Sequence, residues 1–209
     1  MTRATRWSVL AAALALATPA FGQSAAPDAA KMPATQGGAQ QGTAGDAGAG
    51  KEAAHAELVD AKGNKVGWVR IRETPNGLIL HTRLSGLPAG EHAFHVHEVG
   101  KCEPPFDSAG GHYNPGKKEH GFAVQGGYHA GDLPNITIPS EGAVEIDVFA
   151  VGLTVADGPN RLLDEDGSAL IVHAGVDDYA SQPSGNAGGR IACGVVKQGA
   201  MPAASGAGS

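Results

Sequence analysis

The chain of 209 residues has only two cysteines, Cys102 and Cys193, and no surplus of positive charge: 15 Lys and Arg stand against 21 Asp and Glu, a formal net charge of −6. That balance argues against general nucleic-acid binding, which rests on a basic surface that neutralises phosphates. Long apolar runs are lacking as well. The run Trp7 to Thr18 is too short to span a bilayer comfortably and no second candidate follows it, so stable membrane insertion is not expected. Nor does any stretch hold a 3.6-residue apolar period, which excludes a helical architecture.

What is present begins with a leader pattern. Arg3 and Arg6 precede the apolar run, and the small residues Ala20 and Gly22 follow it. This predicts a secretory signal peptide over residues 1–22 and a periplasmic or secreted protein. Removing Arg3 and Arg6 takes the formal charge from −6 to −8. Residues 23–51 are an Ala/Gly-rich low-complexity linker without Ile, Leu, Val, Phe, Tyr or Trp, too poor in apolar surface to order itself. Residues 198–209 have the same small-residue character and read as a disordered tail. One folded domain, 52–197, lies between them. Two cysteines alone in an exported protein favour an intramolecular disulfide over free thiols.

Within the domain, short alternating segments rich in β-branched residues recur between Gly, Pro, Asn and Asp clusters, which predicts an all-β fold. Strands are expected at Ala56–Val59, Val66–Arg72, Leu78–Leu84, His92–Val99, Ala143–Val151, Ala169–His173 and Ile191–Val196. The first three should form a meander, with Asn76-Gly77 supplying the positive φ values of a tight hairpin turn. Two Gly- and Pro-rich stretches, Gly100 to Pro139 and Asp177 to Gly189, lack periodicity and carry most of the interesting polar residues, as functional loops do.

Strand alternation sorts the histidines around residue 95. His95 and His97, two apart, share a face. His92 falls with Phe94 and Val96 on the other, interior face, where a structural hydrogen bond is expected. The further donors are His112, His120, His129 and Asp132 in the glycine-rich loop and His173 at the end of an apolar strand. Two metals with four ligands each need eight positions, and seven residues supply eight if one deprotonated imidazole binds through both nitrogens. The same inventory also suits one metal site with spare histidines or a metal-storage surface, and spacing does not say which histidine would bridge.

Four segments occur in order: Phe94-His95-Val96-His97-Glu98, Ser108-Ala109-Gly110-Gly111-His112-Tyr113-Asn114-Pro115, His129-Ala130-Gly131-Asp132-Leu133 and Gly185-Asn186-Ala187-Gly188-Gly189-Arg190-Ile191-Ala192-Cys193-Gly194. Together they resemble the copper/zinc superoxide dismutases, over about residues 55 to 197. The leader and Gly100-Lys101-Cys102-Glu103 look like the bacterial periplasmic branch. The resemblance implies copper on His95, His97, His112 and His173, and zinc on His112, His120, His129 and Asp132, with His112 shared. It makes Asp177 the carboxylate that accepts from one ligand of each metal, assigned to His95 and His120. It also implies dismutation: one superoxide reduces copper and leaves as dioxygen, a second reoxidises it and leaves as hydrogen peroxide, and His112 carries a proton between the steps.

By the same resemblance Arg190 attracts and orients the anionic substrate, and Cys193 pairs with Cys102 to brace the active-site loop. Lys101, Lys117 and Lys118 are candidate electrostatic guides. Ser184 stands where many relatives have threonine at the channel wall. The implied architecture is a flattened eight-stranded Greek-key β-barrel, an immunoglobulin-like sandwich in outline, and the implied assembly is a homodimer. Two rival readings keep a β fold without catalysis: a copper-delivery module with a depleted site, and an adhesion-type sandwich with incidental histidines. The full ligand set and Arg190 weigh against both.

Overall fold

Side chains that alternate with a period of two give each strand one apolar face, and the sheet is built by burying those faces together. The computed structural model describes residues 52–202; the predicted signal peptide (1–22), the predicted linker (23–51) and the end of the tail (203–209) lie outside the described residues. Ten strands occur among the described residues: β1 (Glu52–Asp60), β2 (Lys65–Thr74), β3 (Gly77–Ser85), β4 (Gly90–His92), β5 (Phe94–His97), β6 (Ile136–Ile138), β7 (Ala143–Val151), β8 (Ala169–His173), β9 (Arg190–Val195) and β10 (Lys197–Gln198). The 3-10 turn Asp107–Ala109 is the one helical element among the described residues, and none of these residues forms a helix long and apolar enough to cross a membrane.

Every strand pairing is antiparallel. The main sheet runs β5-β8-β9-β1-β2-β3-β7, with β10 beside β1, and β4 pairs with β6 in a second small sheet. The result is a curled, open half-barrel, with the predicted β1-β2-β3 meander at its centre. On β3, Leu78, Leu80, Thr82 and Leu84 point into the core while Arg83 is exposed. Each large apolar side chain so buried contributes roughly 1.5 to 3 kcal/mol relative to exposure.

Strands β5 and β8 are buried on both faces. Phe94, Val96, Leu170 and Val172 join the main core. On the opposite face, Ala169 and Ile171 pack with Phe106, Ala109 and Cys193 in a second cluster. That cluster fastens the loop after β5 onto the outside of the sheet, on the same face as His95, His97 and His173, which strand alternation puts beside Ile171 and Ala169.

Three local differences from the sequence expectation have clear causes. The expected strand His92–Val99 is broken at Ala93 and ends at His97, because Ala93 leaves the ladder to bond with Gly175 and His173, and Glu98 and Val99 donate instead to Gly111 and Ala109 of the following loop. The expected loop Gly100 to Pro139 contains β6, whose Ile136 and Ile138 are buried while Thr137 faces out; the alternation is only three residues long and sits between prolines. The β2–β3 hairpin forms, but its linking residues are Pro75 and Asn76. Gly77 already pairs with Thr74, and Asn76 does not take positive φ. Backbone contacts also continue past Lys197: Gly199 donates to the Ala53 carbonyl, and Met201 N–H to Glu52 Oε1 at 2.6 Å.

Cys102 and Cys193 form a disulfide with a Cα separation of 5.7 Å across 91 residues of sequence, joining the loop after β5 to β9. In the chain-entropy account, closing a loop of that length stabilises by about 4 to 5 kcal/mol at most. Replacing both cysteines by serine is therefore expected to lower unfolding stability by up to that amount, read as a reduced midpoint in guanidinium titration; an unchanged midpoint would count against the brace.

Candidate metal centre

Two groups of donors converge on the outer face of β5 and β8. His95, His97, His112 and His173 form one, and His112, His120, His129 and Asp132 the other. All seven residues are buried, and in each group the ligand atoms lie within 4.8 Å of one another. The two-residue period aims His95 and His97 together and puts His173 on the face of β8 that bears Ile171, and the register shift between Val172 and His173, with Ile191 as the extra residue of β9, sets Arg190 opposite His173. The loop histidine His112 is drawn in by a bridge to His97, and Asp132 by a bridge to His95.

The close approach that allows this is made at Gly131. Its carbonyl accepts from Val96 at 2.9 Å and its N–H donates to Tyr113 at 2.8 Å. A Cβ there would lie 2.3 Å from the Val96 carbonyl oxygen, so a side chain would force the loop that carries His129 and Asp132 off the strand.

Hydrogen bonds assign which nitrogen of each ring is free. His95 Nε2–H donates to Asp177 Oδ2 at 2.8 Å, His97 Nδ1–H to the Gly110 carbonyl at 3.0 Å and His173 Nδ1–H to the Gly188 carbonyl at 3.3 Å. Each neutral imidazole then keeps one bare lone pair, on His95 Nδ1, His97 Nε2 and His173 Nε2. The last two face each other at 3.4 Å, and His95 Nδ1 and His112 Nε2 are buried with no hydrogen-bond partner. Converging lone pairs repel unless a cation lies among them, so the donor set fits a metal ion.

The second group fits in the same way. His120 Nε2–H donates to Asp177 Oδ1 at 3.0 Å, leaving Nδ1 facing Asp132 Oδ1, also at 3.0 Å. His129 Nδ1 lies 3.3 Å from that oxygen and 3.4 Å from His112 Nδ1. A tetrahedral ion with bonds of about 2.0 to 2.1 Å would separate its ligands by about 3.3 to 3.4 Å. The approaches of His120 Nδ1 and His112 Nδ1 to Asp132 Oδ1, at 3.0 and 2.8 Å, are shorter. Three imidazoles and one carboxylate are a zinc-type set, and four imidazoles a copper-type set.

Burial sets the protonation of these groups. It pushes His95 down to about 4 and His173 down to about 3, against the Asp177 bond and the Gly188 bond respectively, and it pushes His97 and His129 below the ordinary histidine value. These rings are neutral at pH 7 and need lose no proton to offer a lone pair. Burial alone would raise Asp132, but the bonds from His112 and the Gly121 N–H hold it well below the usual carboxylate range. Asp177 is likewise held low, despite burial, by His95 and His120. It is therefore an anion that ties one ring of each group to a single carboxylate.

A cleft of about 410 Å³ opens onto the groups, lined by His97, His112, His129 and His173 with Glu98, Ser184 and Arg190 among the other residues. The Arg190 guanidinium donates to the Phe106 and Gly110 carbonyls, at 2.6 Å each. Lys101, Lys117 and Lys118 are exposed and do not line the cleft. His92 is turned away: Nδ1 lies 2.8 Å from the His173 carbonyl and Nε2 2.9 Å from that of Pro88, the structural role expected of it.

The sequence reading missed the residues that hold the ligands from behind. Asn135 clasps the backbone of Asp177 in both directions, at 2.9 and 3.0 Å, and Gln182 does the same for His120, at 2.8 and 2.9 Å. These partners are 42 and 62 residues apart, so no local spacing could have signalled them.

The model of the family described as copper/zinc superoxide dismutase matches residues 65–196. The chain belongs to the copper/zinc superoxide dismutase family. It is 49% identical over 146 residues to "Superoxide dismutase [Cu-Zn] 1" of Aquifex aeolicus, covering 68% of this chain and 86% of that protein. A crystal structure of a superoxide-dismutase-like protein from Bacillus subtilis aligns with a TM-score of 0.65 at 43% identity, over 68% of this chain and 96% of the other. The Cu/Zn superoxide dismutase of Brucella abortus aligns at 0.57 with 34% identity, over 68% and 98%. Family membership and two complete donor groups together mark the chain as an enzyme of the copper/zinc superoxide dismutase class.

Because Asp177 orients one ring of each group, Asp177→Asn should weaken both metals by about 10- to 100-fold, the usual effect of losing such an outer partner. Competition with chelators of known affinity would measure it, and loss of only one metal would contradict the shared role.

Proposed function

We propose that the chain dismutates superoxide, converting two superoxide ions and two protons into dioxygen and hydrogen peroxide. The observation that carries this reading is the sharing of His112: its Nε2 belongs to the all-histidine group and its Nδ1 faces Asp132 in the other. His95, His97, His112 and His173 would hold copper, which would supply one-electron redox chemistry, and His112, His120, His129 and Asp132 would hold a structural zinc.

The protein's own residues orient, charge and protonate. Arg190 brings a fixed positive charge to the cleft, and its two carbonyl bonds hold the guanidinium in one plane against the anionic substrate. His112 Nε2 is placed to hold a proton and pass it to substrate, while Asp132 and Asp177 keep the neighbouring rings from turning. Ser184 makes a small, polar stretch of the cleft wall.

The same reading includes the eight-stranded Greek-key barrel. Ala93 alone separates β4 from β5, and the pairing of β4 with β6 supports closure of the half-barrel through those strands. It also includes export to the periplasm or beyond, supported by the leader pattern of residues 1–22 and by bacterial relatives, protection of the cell envelope, and a homodimer. A copper-delivery module would be expected to lack part of one donor group, and neither group here is incomplete.

The test is superoxide removal by purified protein loaded with copper and zinc. Activity far above that of the metal-free protein is expected, and equal rates would refute the reading. His173 belongs to the first group alone, so His173→Ala should strip copper while zinc remains bound. Elemental analysis reads this directly, and equal loss of both metals from folded protein would overturn the partition.

A further inference from the structure

Glu98 follows the ligand His97, is exposed and lines the cleft, yet nothing above gives it a task. Its backbone and side chain both grip the same residue. Glu98 N–H donates to the Gly111 carbonyl at 3.0 Å, and Gly111 N–H donates back to Glu98 Oε1 at 2.9 Å. The side chain also lies against the neighbouring glycine: a Cβ on Gly110, which has φ of 73°, would sit 2.8 Å from both Glu98 Cγ and Oε1.

What this grip holds is the Gly110 carbonyl. That one oxygen accepts from His97 Nδ1–H at 3.0 Å and from Arg190 at 2.6 Å. It therefore sets the orientation of a copper-group ring and of the only lysine or arginine among the cleft-lining residues. A peptide oxygen serving two donors can do so only while its turn stays fixed, and His97 itself supplies no bond to that turn besides the one at issue.

We propose that Glu98 is a positioning residue: by clamping the Gly110–Gly111 turn, its carboxylate holds the shared carbonyl that aims both His97 and Arg190 at the cleft. The inference rests on the copper reading of the site. Its chemistry is separable from charge, because a glutamine keeps an oxygen acceptor at the same place and an alanine does not.

The experiment compares Glu98→Ala with Glu98→Gln in the full chain loaded with copper and zinc. Both variants remove the negative charge, so their difference reports the clamp alone. Azide, a non-reacting anion, should bind the alanine variant at least about threefold more weakly than the glutamine variant, the size expected for one lost hydrogen bond. The electron paramagnetic resonance spectrum of Cu(II) should shift in the alanine variant and stay near that of the parent in the glutamine variant. Amide exchange at Gly111 should speed up only in the alanine variant. Equal azide affinities with matching spectra, or unchanged Gly111 exchange on alanine substitution, would overturn the proposal. A parent protein that takes up no copper would refute the copper reading instead, and Gly111 exchange would then decide the clamp by itself.

Discussion

The structure depends on one constraint: buried nitrogen and oxygen lone pairs must be aimed at two neighbouring points, with one imidazole, that of His112, serving both. Unpaired buried acceptors cost free energy, and acceptors turned toward each other cost more. Such an arrangement persists only where the surroundings over-determine it. Four of the six rings, those of His95, His97, His120 and His173, are therefore fixed by a bond on the far side, to the Gly110 carbonyl, the Gly188 carbonyl or the Asp177 carboxylate.

The scaffold supplies that over-determination in layers. The main core holds β5 and β8 from within, and the small cluster around Phe106 and Ile171 holds the ligand-bearing loop from outside. The disulfide ties the start of this loop to β9, a few residues beyond Arg190. Amide clasps from Asn135 and Gln182 then join the two long loops to each other. Loops with little regular structure thus behave as parts of one polar network, in which the members support each other.

Charge is distributed with the same economy. The domain is acidic overall, but Asp132, itself a member of the second group, and Asp177, behind the rings of His95 and His120, are buried and engaged in hydrogen bonds. Arg190 is left as the cation of the cleft. An anionic substrate can meet a local positive field although the chain carries a formal charge of −6.

The sequence by itself determined the all-β class, the meander, the common face of His95 and His97 and the separation of His92 from them, because a period of two is a local property of the chain. The ordered motifs also identified the ligand inventory, through family likeness and not through spacing. Only the tertiary structure decided which nitrogen of each ring is free, that Ala93 breaks the ligand strand, that β6 lies inside an apparent loop, and that Asn135, Gln182 and Glu98 hold the site from behind. These are contacts between residues distant in sequence or between a side chain and a turn, and they exist only once the loops have been folded back onto the sheet; no pattern within a strand encodes them.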